Sequence, residues 1–141
     1  MEQLIEQLHE GGYSCVIRQG NTTRTFTQRG VNDLYMLVYE APEFLHGAEM
    51  ADKVVGKGAA ALMAIGGIKE LYADVISESA YEMLTRAGIK VAYGQKVAYI
   101  INRTHTDRCP LEKLCANAGT PQECLPLIDT FVKNMNLHTH A

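Results

Sequence analysis

Several things are scarce in this sequence, and each scarcity removes a class of function. Positive charge has no surplus: 13 Lys and Arg stand against 16 Asp and Glu, a formal charge of −3. A protein that holds a phosphate backbone needs clustered Lys and Arg, so nucleic acid is not expected as a partner. Long apolar runs are also missing. The longest, around Gly58 to Ile68, is too short and too rich in glycine to span a bilayer, and no membrane partner is expected. The opening MEQLIEQLHEGG holds acidic residues where an export signal would hold an apolar core. A cytoplasmic location is the corresponding expectation.

Cysteine is sparse too, at Cys15, Cys109, Cys115 and Cys124. A domain of this size without an export signal does not need disulfides. Nor does the spacing suit zinc. Cys109 and Cys115 are separated by about 600° around a helix at 3.6 residues per turn, which puts them on different faces. Buried or half-exposed thiols are expected, with no metal and no cofactor. His138 and His140 fall in a tail, residues 135–141, that is expected to be disordered.

What is present is ordinary for one globular α/β domain over residues 1–141: 47% apolar and 21% charged residues. Residues 2–10 have a helical stripe of Leu4, Ile5 and Leu8, ended by Gly11-Gly12. YSCVIRQ and TRTFTQ, joined by GNT, predict a hairpin. Val31, Leu34, Tyr35 and Val38 predict a helix over 31–40, closed by Pro42. KELYADVIS predicts a central strand. SAYE is a capping box with Ser79 as cap and Glu82 reaching back, opening a helix that Gly88 ends. IKVAYG and VAYIINR predict two antiparallel strands around a Gly-Gln-Lys turn. A helix from Pro110 to Gly119, and another capped by Thr120 with Pro121 at its first position, close the chain.

The most unusual stretch is ADKVVGKGAAALMAIGG, residues 51–67. It is not a Walker loop, which requires G-x-x-x-x-G-K-[ST]; GKG lacks the Ser or Thr and the earlier glycine. Asp52 suits an N-cap, and a helix over 52–66 follows. Glycine costs about 1 kcal/mol against alanine inside a helix, so Gly56 and Gly58 imply close approach of another backbone. That neighbour is either the sheet of the same chain or a second copy, the latter giving a homodimer. Asp52 and Lys53 then stand at a helix N-terminus, where backbone N–H groups attract anions. They serve either as a plain cap and a solvated charge, or as the mouth of a pocket.

A hairpin, a helix with a polar N-terminus, a strand, and a polar turn opening a helix that ends AGIKVAYG together resemble the cytidine deaminase-like fold. The resemblance implies a three-layer α/β/α sandwich around a mixed sheet of about five strands. In that superfamily a His/Cys-Ala-Glu motif and a Pro-Cys-x-x-Cys motif open two helices and hold a catalytic zinc. On this chain the first motif falls at ADK and the second at ESAYE, with Glu78 for the proline and Ser79 and Glu82 for the cysteines. Every zinc ligand is replaced. More closely, ADKVVGKGAAALMAIGGIKELYADVIS, GIKVAYG and YIINRTHTDRCPLEKL resemble an uncharacterised prokaryotic family of domains of unknown function with this fold, over residues 13–118.

Three functions follow as expectations. The first is a binding module whose pocket takes a nucleotide or related phosphorylated metabolite, with Asp52, Lys53, Glu78, Ser79, Asn102 and Arg103 around it. The second is a metal-independent enzyme on a nucleotide-type substrate, with Asp52, Glu78 or Glu82 as general base and Lys53 as electrophile or nucleophile; a variant has the carboxylates hold magnesium. The third is a thiol redox protein using Cys109, placed near a helix N-terminus that lowers its pKa.

Overall fold

Apolar runs of strand length alternate with small-residue and amphipathic runs of helix length through the middle of the chain, and the fold alternates accordingly. A computed structural model describes residues 1–27, 31–100 and 110–140, with side chains through Asn134. The elements are α1 (Glu2–Glu10), β1 (Cys15–Gln19), β2 (Thr22–Phe26), α2 (Asn32–Glu40), α3 (Pro42–Leu45), β3 (Glu49–Val55), α4 (Lys57–Gly66), β4 (Glu70–Ser77), α5 (Glu78–Arg86), β5 (Lys90–Val97), α6 (Pro110–Leu114) and α7 (Pro121–His140). Five strands form one mixed sheet in the order β2-β1-β3-β4-β5. β1 runs antiparallel to β2 and β3, whereas β3, β4 and β5 are mutually parallel. α1 covers one face through Leu4 and Leu8 on Val16 and Ala51. The other helices build the main core on the opposite face, which makes three layers. Among the described residues no helix is long and apolar enough to cross a membrane.

The helix expected over 52–66 is two elements. Residues 49–55 are a strand, Gly56 is the cap, and the helix starts at Lys57. The reason lies in burial on both faces. Met50 belongs to the main core and Ala51 to the α1 side, and both are fully enclosed. A central strand covered on both sides loses the alternation that identifies strands by sequence. The alanines that suggest a helix are overridden by pairing with β1 and β4.

The close contact inferred from the glycines is present, but what meets them is side chains of the chain's own helices, not the backbone of the sheet or of a second copy. A Cβ at Gly58 would sit 2.5 Å from Leu111 Cδ2, and one at Gly66 would sit 2.7 Å from Leu45 Cδ1. Bare backbone lets α6 and α3 seat leucines directly on α4. At Gly58 and Gly66 the glycine-rich face is therefore taken up by the chain's own α6 and α3.

The turn expected at Gly94-Gln95-Lys96 is absent, since β5 runs straight through it in parallel with β4. Gly94 serves a different purpose. A Cβ there would lie 2.9 Å from the Asp74 carbonyl oxygen, so the glycine admits a close neighbouring backbone. The cap of α5 also moves. Ser77, not Ser79, holds the N-cap position, its Oγ accepting from Ala80 N at 3.2 Å. At α7 the expected box is present in part: Glu123 N donates to Thr120 Oγ1 at 3.2 Å, and the Glu123 carboxylate accepts from Gly119 N at 3.0 Å.

Candidate functional site at the carboxyl ends of β3 and β4

In open α/β sheets ligands bind outside the carboxyl ends of parallel strands. Here Val55 of β3 pairs with Ile76 of β4. The residues that follow, Gly56 and Ser77, are the caps of α4 and α5. Two helices therefore begin next to each other at one sheet edge, each with unsatisfied backbone N–H groups and partial positive charge.

A carboxylate of the protein already lies there. Glu112, on α6, is only 6% exposed. Its Oε2 accepts from Ile100 N at 2.9 Å, and its Oε1 accepts a long 3.5 Å hydrogen bond from Ser79 Oγ. A Cβ at Gly56 would come within 2.9 Å of Oε2, so the missing side chain is what admits the carboxylate. Ser79 Oγ stands 3.3 Å from Ser77 Oγ, which extends the polar cluster into the α5 cap. Lys57, the first residue of α4, is half-buried and donates from Nζ to Ala116 O at 3.0 Å.

The structure separates the residues expected to act together. Asp52 and Lys53 are strand residues, upstream of α4. Consecutive strand residues point to opposite faces, and these two do: Asp52 is half-buried near Cys15, its partner across β1, while Lys53 is exposed. Val54 N donates to Asp52 Oδ1 at 3.4 Å. Burial raises the Asp52 carboxyl to about 7, against the lowering effect of hydrogen bonds from Val54, Lys53 and Cys15. The Cys15 thiol is held well above its ordinary value by burial, then by the charges of Asp52 and Asp33. Cys15 is thus a protonated thiol at neutral pH.

Glu78 and Glu82 are exposed on α5, and only Ser79 of the expected α5 set joins the cluster. Asn102, Arg103 and Cys109 lie outside the described residues. Among the described residues no group of three or more His, Cys, Asp or Glu is placed to hold a metal ion. Glu112 and Lys57 were not singled out by spacing. Glu112 reads locally as an acidic residue in the first turn of a short helix, and only the return of α6 over α4 gives it this place.

A cavity of about 450 Å³ lies elsewhere, between α1 and the β1–β2 hairpin, near the amino end of β3. Its polar wall is internally satisfied, Arg18 donating to Glu49 at 3.1 Å and to Gln3 at 3.3 Å. It sits at the end of the parallel strands where ligands are not expected.

No curated protein matches this chain. The crystal structure of a DUF1893 family protein (TM1506) from Thermotoga maritima superposes with a TM-score of 0.84 and 22% identity, covering 92% of this chain and 87% of that one. At that identity the likeness shows the shared fold alone. Residues 3–132 match the family described as TM1506, domain of unknown function (DUF1893), and the chain belongs to that family.

Proposed function

We propose that this protein is a ligand-binding domain on a deaminase-like scaffold without the zinc centre, taking a nucleotide or related phosphorylated metabolite at the start of α4 and α5. The observation that supports it is the Glu112 carboxylate. A buried oxyanion needs hydrogen-bond donors and positive potential, and this one finds Ile100 N and Ser79 Oγ beside two helix caps. The same surroundings suit a phosphate oxygen, with Lys57 replacing Lys53 as the nearby cation. Glu112 then competes with the ligand, and the apparent affinity falls by the fraction of molecules in which it is docked.

Titration calorimetry against adenine and pyrimidine nucleotides and nucleotide-sugars tests this. Weak binding to the native protein is expected, tightened about tenfold in Glu112→Gln, where like-charge repulsion is gone (about 1.4 kcal/mol). Lys57→Ala should weaken it, and Lys53→Ala and Lys113→Ala should change it less. No binding by either the native protein or Glu112→Gln, or binding indifferent to both Glu112 and Lys57, removes the site.

A second function, proton transfer by Asp52 in a metal-independent enzyme, is favoured by one observation: a carboxyl raised to about 7 titrates where a general base works best. Its partner cannot be Lys53 across the sheet. Cys15, on the same face, is the neighbouring proton donor.

A further inference from the structure

The cavity between α1 and the β1–β2 hairpin takes no part in the site at the caps of α4 and α5. Strand register sets its floor. Arg18 of β1 pairs with Thr23 of β2 on one side and with Glu49 of β3 on the other. Directly paired residues share a sheet face. A hydroxyl, a guanidinium and a carboxylate therefore stand in a row across three strands, about 4.8 Å apart at the backbone. This is the face that α1 covers, since Arg18 Nη1 donates to Gln3 Oε1 at 3.3 Å. Gln3 and Gln7 lie one turn apart on the same side of α1 and form the roof. Asn21, in the two-residue turn between β1 and β2, closes one end.

The walls are fixed before anything binds. Leu4 and Leu8 are buried and anchor α1, and the hairpin is in register over five residue pairs. Arg18 is held from two sides, Nη2 donating to Glu49 Oε1 at 3.1 Å and Nη1 to Gln3. A guanidinium carries five N–H donors, and these bonds use two of them. Around this satisfied pair the rim is open: among the described residues, the side chains of Gln7, Asn21 and Thr23 make no hydrogen bond within the protein. The volume of about 450 Å³ falls within the range of about 300–1,000 Å³ usual for small-molecule sites. The crevice rule for parallel strands does not decide this cavity, because its walls are a helix and an antiparallel hairpin.

The lining fixes the chemistry of the occupant. Arg18 is matched by Glu49, so the floor does not call for an anion, and the Glu49 carboxylate repels one. What remains is donors beside acceptors: guanidinium and amide N–H groups next to a carboxylate, amide oxygens and the Thr23 hydroxyl. An apolar occupant would strip water from these groups and leave them unpaired. An alcohol donates and accepts at once, and so satisfies neighbouring donors and acceptors together. We propose that this cavity binds a neutral polyhydroxylated molecule of sugar size. Its hydroxyls accept from Arg18 and the Gln7 amide and donate to Glu49 and Asn21. This site is separate from the nucleotide site and does not rest on it.

The test titrates the isotopically labelled full chain with D-ribose, D-glucose and myo-inositol, followed by NMR. Saturable shifts with at least one of them are expected, confined to the backbone amides from Arg18 to Thr23 and the side-chain amides of Gln3 and Gln7. Arg18→Met should weaken binding about tenfold or more, and Gln7→Ala about threefold to tenfold. Glu49→Gln leaves the Arg18 charge unmatched, so it should turn the preference from ribose toward a ribose phosphate. Absence of a saturable shift with all three polyols would overturn the site. So would shifts unchanged in both Gln7→Ala and Arg18→Met. Tighter binding of the ribose phosphate than of ribose by the native protein, read at the same amides, would make it an anion site and overturn the neutral occupant. Gln7 is exposed on α1, so Gln7→Ala decides the case even where Arg18→Met does not fold.

Discussion

At Asp52 a carboxyl stands where β1 and β3 pair, opposite Cys15 and on the main-core face of the sheet. Burial raises it from the ordinary 3.8 to about 7. Between those values the unfolded chain is ionised while the folded chain keeps its proton, so folding takes up a proton. Stability is then full below about pH 4, falls as pH rises, and is flat again above about pH 7. The total loss is on the order of 2–4 kcal/mol. Asp33, raised by burial in the same direction, adds a smaller share. Asp52→Asn cannot ionise, and it should flatten this slope and raise the melting temperature at pH 8. Melting curves of both proteins from pH 4 to 8 check it; parallel pH profiles would mean that Asp52 is well solvated. That Asp52 deserved notice was legible from its neighbours in sequence. Its perturbation was not, because the burial that raises it, and after that the Asp74 charge, come only from packing across the sheet.

Among the elements, α4 carries the most specific packing. Gly58 faces Leu111 and Gly66 faces Leu45, both leucines buried. Gly58→Leu places a branched side chain where the first carbon alone lies 2.5 Å from Leu111. Overpacking of this kind costs about 3 kcal/mol, and the gain of about 1 kcal/mol in helix propensity does not offset it. A fall of several degrees in melting temperature is expected. Gly56→Leu meets the tip of the Glu112 carboxylate at 2.9 Å, so it should dislodge Glu112 and cost less. Equal melting temperatures for native protein and Gly58→Leu would mean that α6 does not pack on α4. The glycine and alanine content pointed to a close contact because the helix penalty needs an offset. It could not say where strand ended and helix began, since Met50-Ala51, one on each buried face, and the alanines of α4 satisfy both periodicities.

For the molecule as a whole, two helices open side by side at one sheet edge, and among the described residues no Cys or His stands at either cap. Purified protein is therefore expected to hold well under one zinc per chain and to leave cytidine unchanged. Elemental analysis and a deamination assay check this, and one zinc per chain would bring Cys109 and the residues near it into a metal site. What the sequence determined by itself was local or additive: the α/β class, the β1–β2 hairpin, α2, β4, α5, and a helix of small residues pressed against a neighbour. Each of these rests on periodicity, capping chemistry or summed composition within a short window. Only the tertiary structure decided that 49–55 is a strand, that 90–97 is one strand passing through Gly94, and that Asp52 and Lys53 face apart. Only it brought Glu112 to Gly56. Those facts depend on contacts between residues far apart in the chain, and pairing and burial on two faces outweigh local propensity there because each buried group must find its partner.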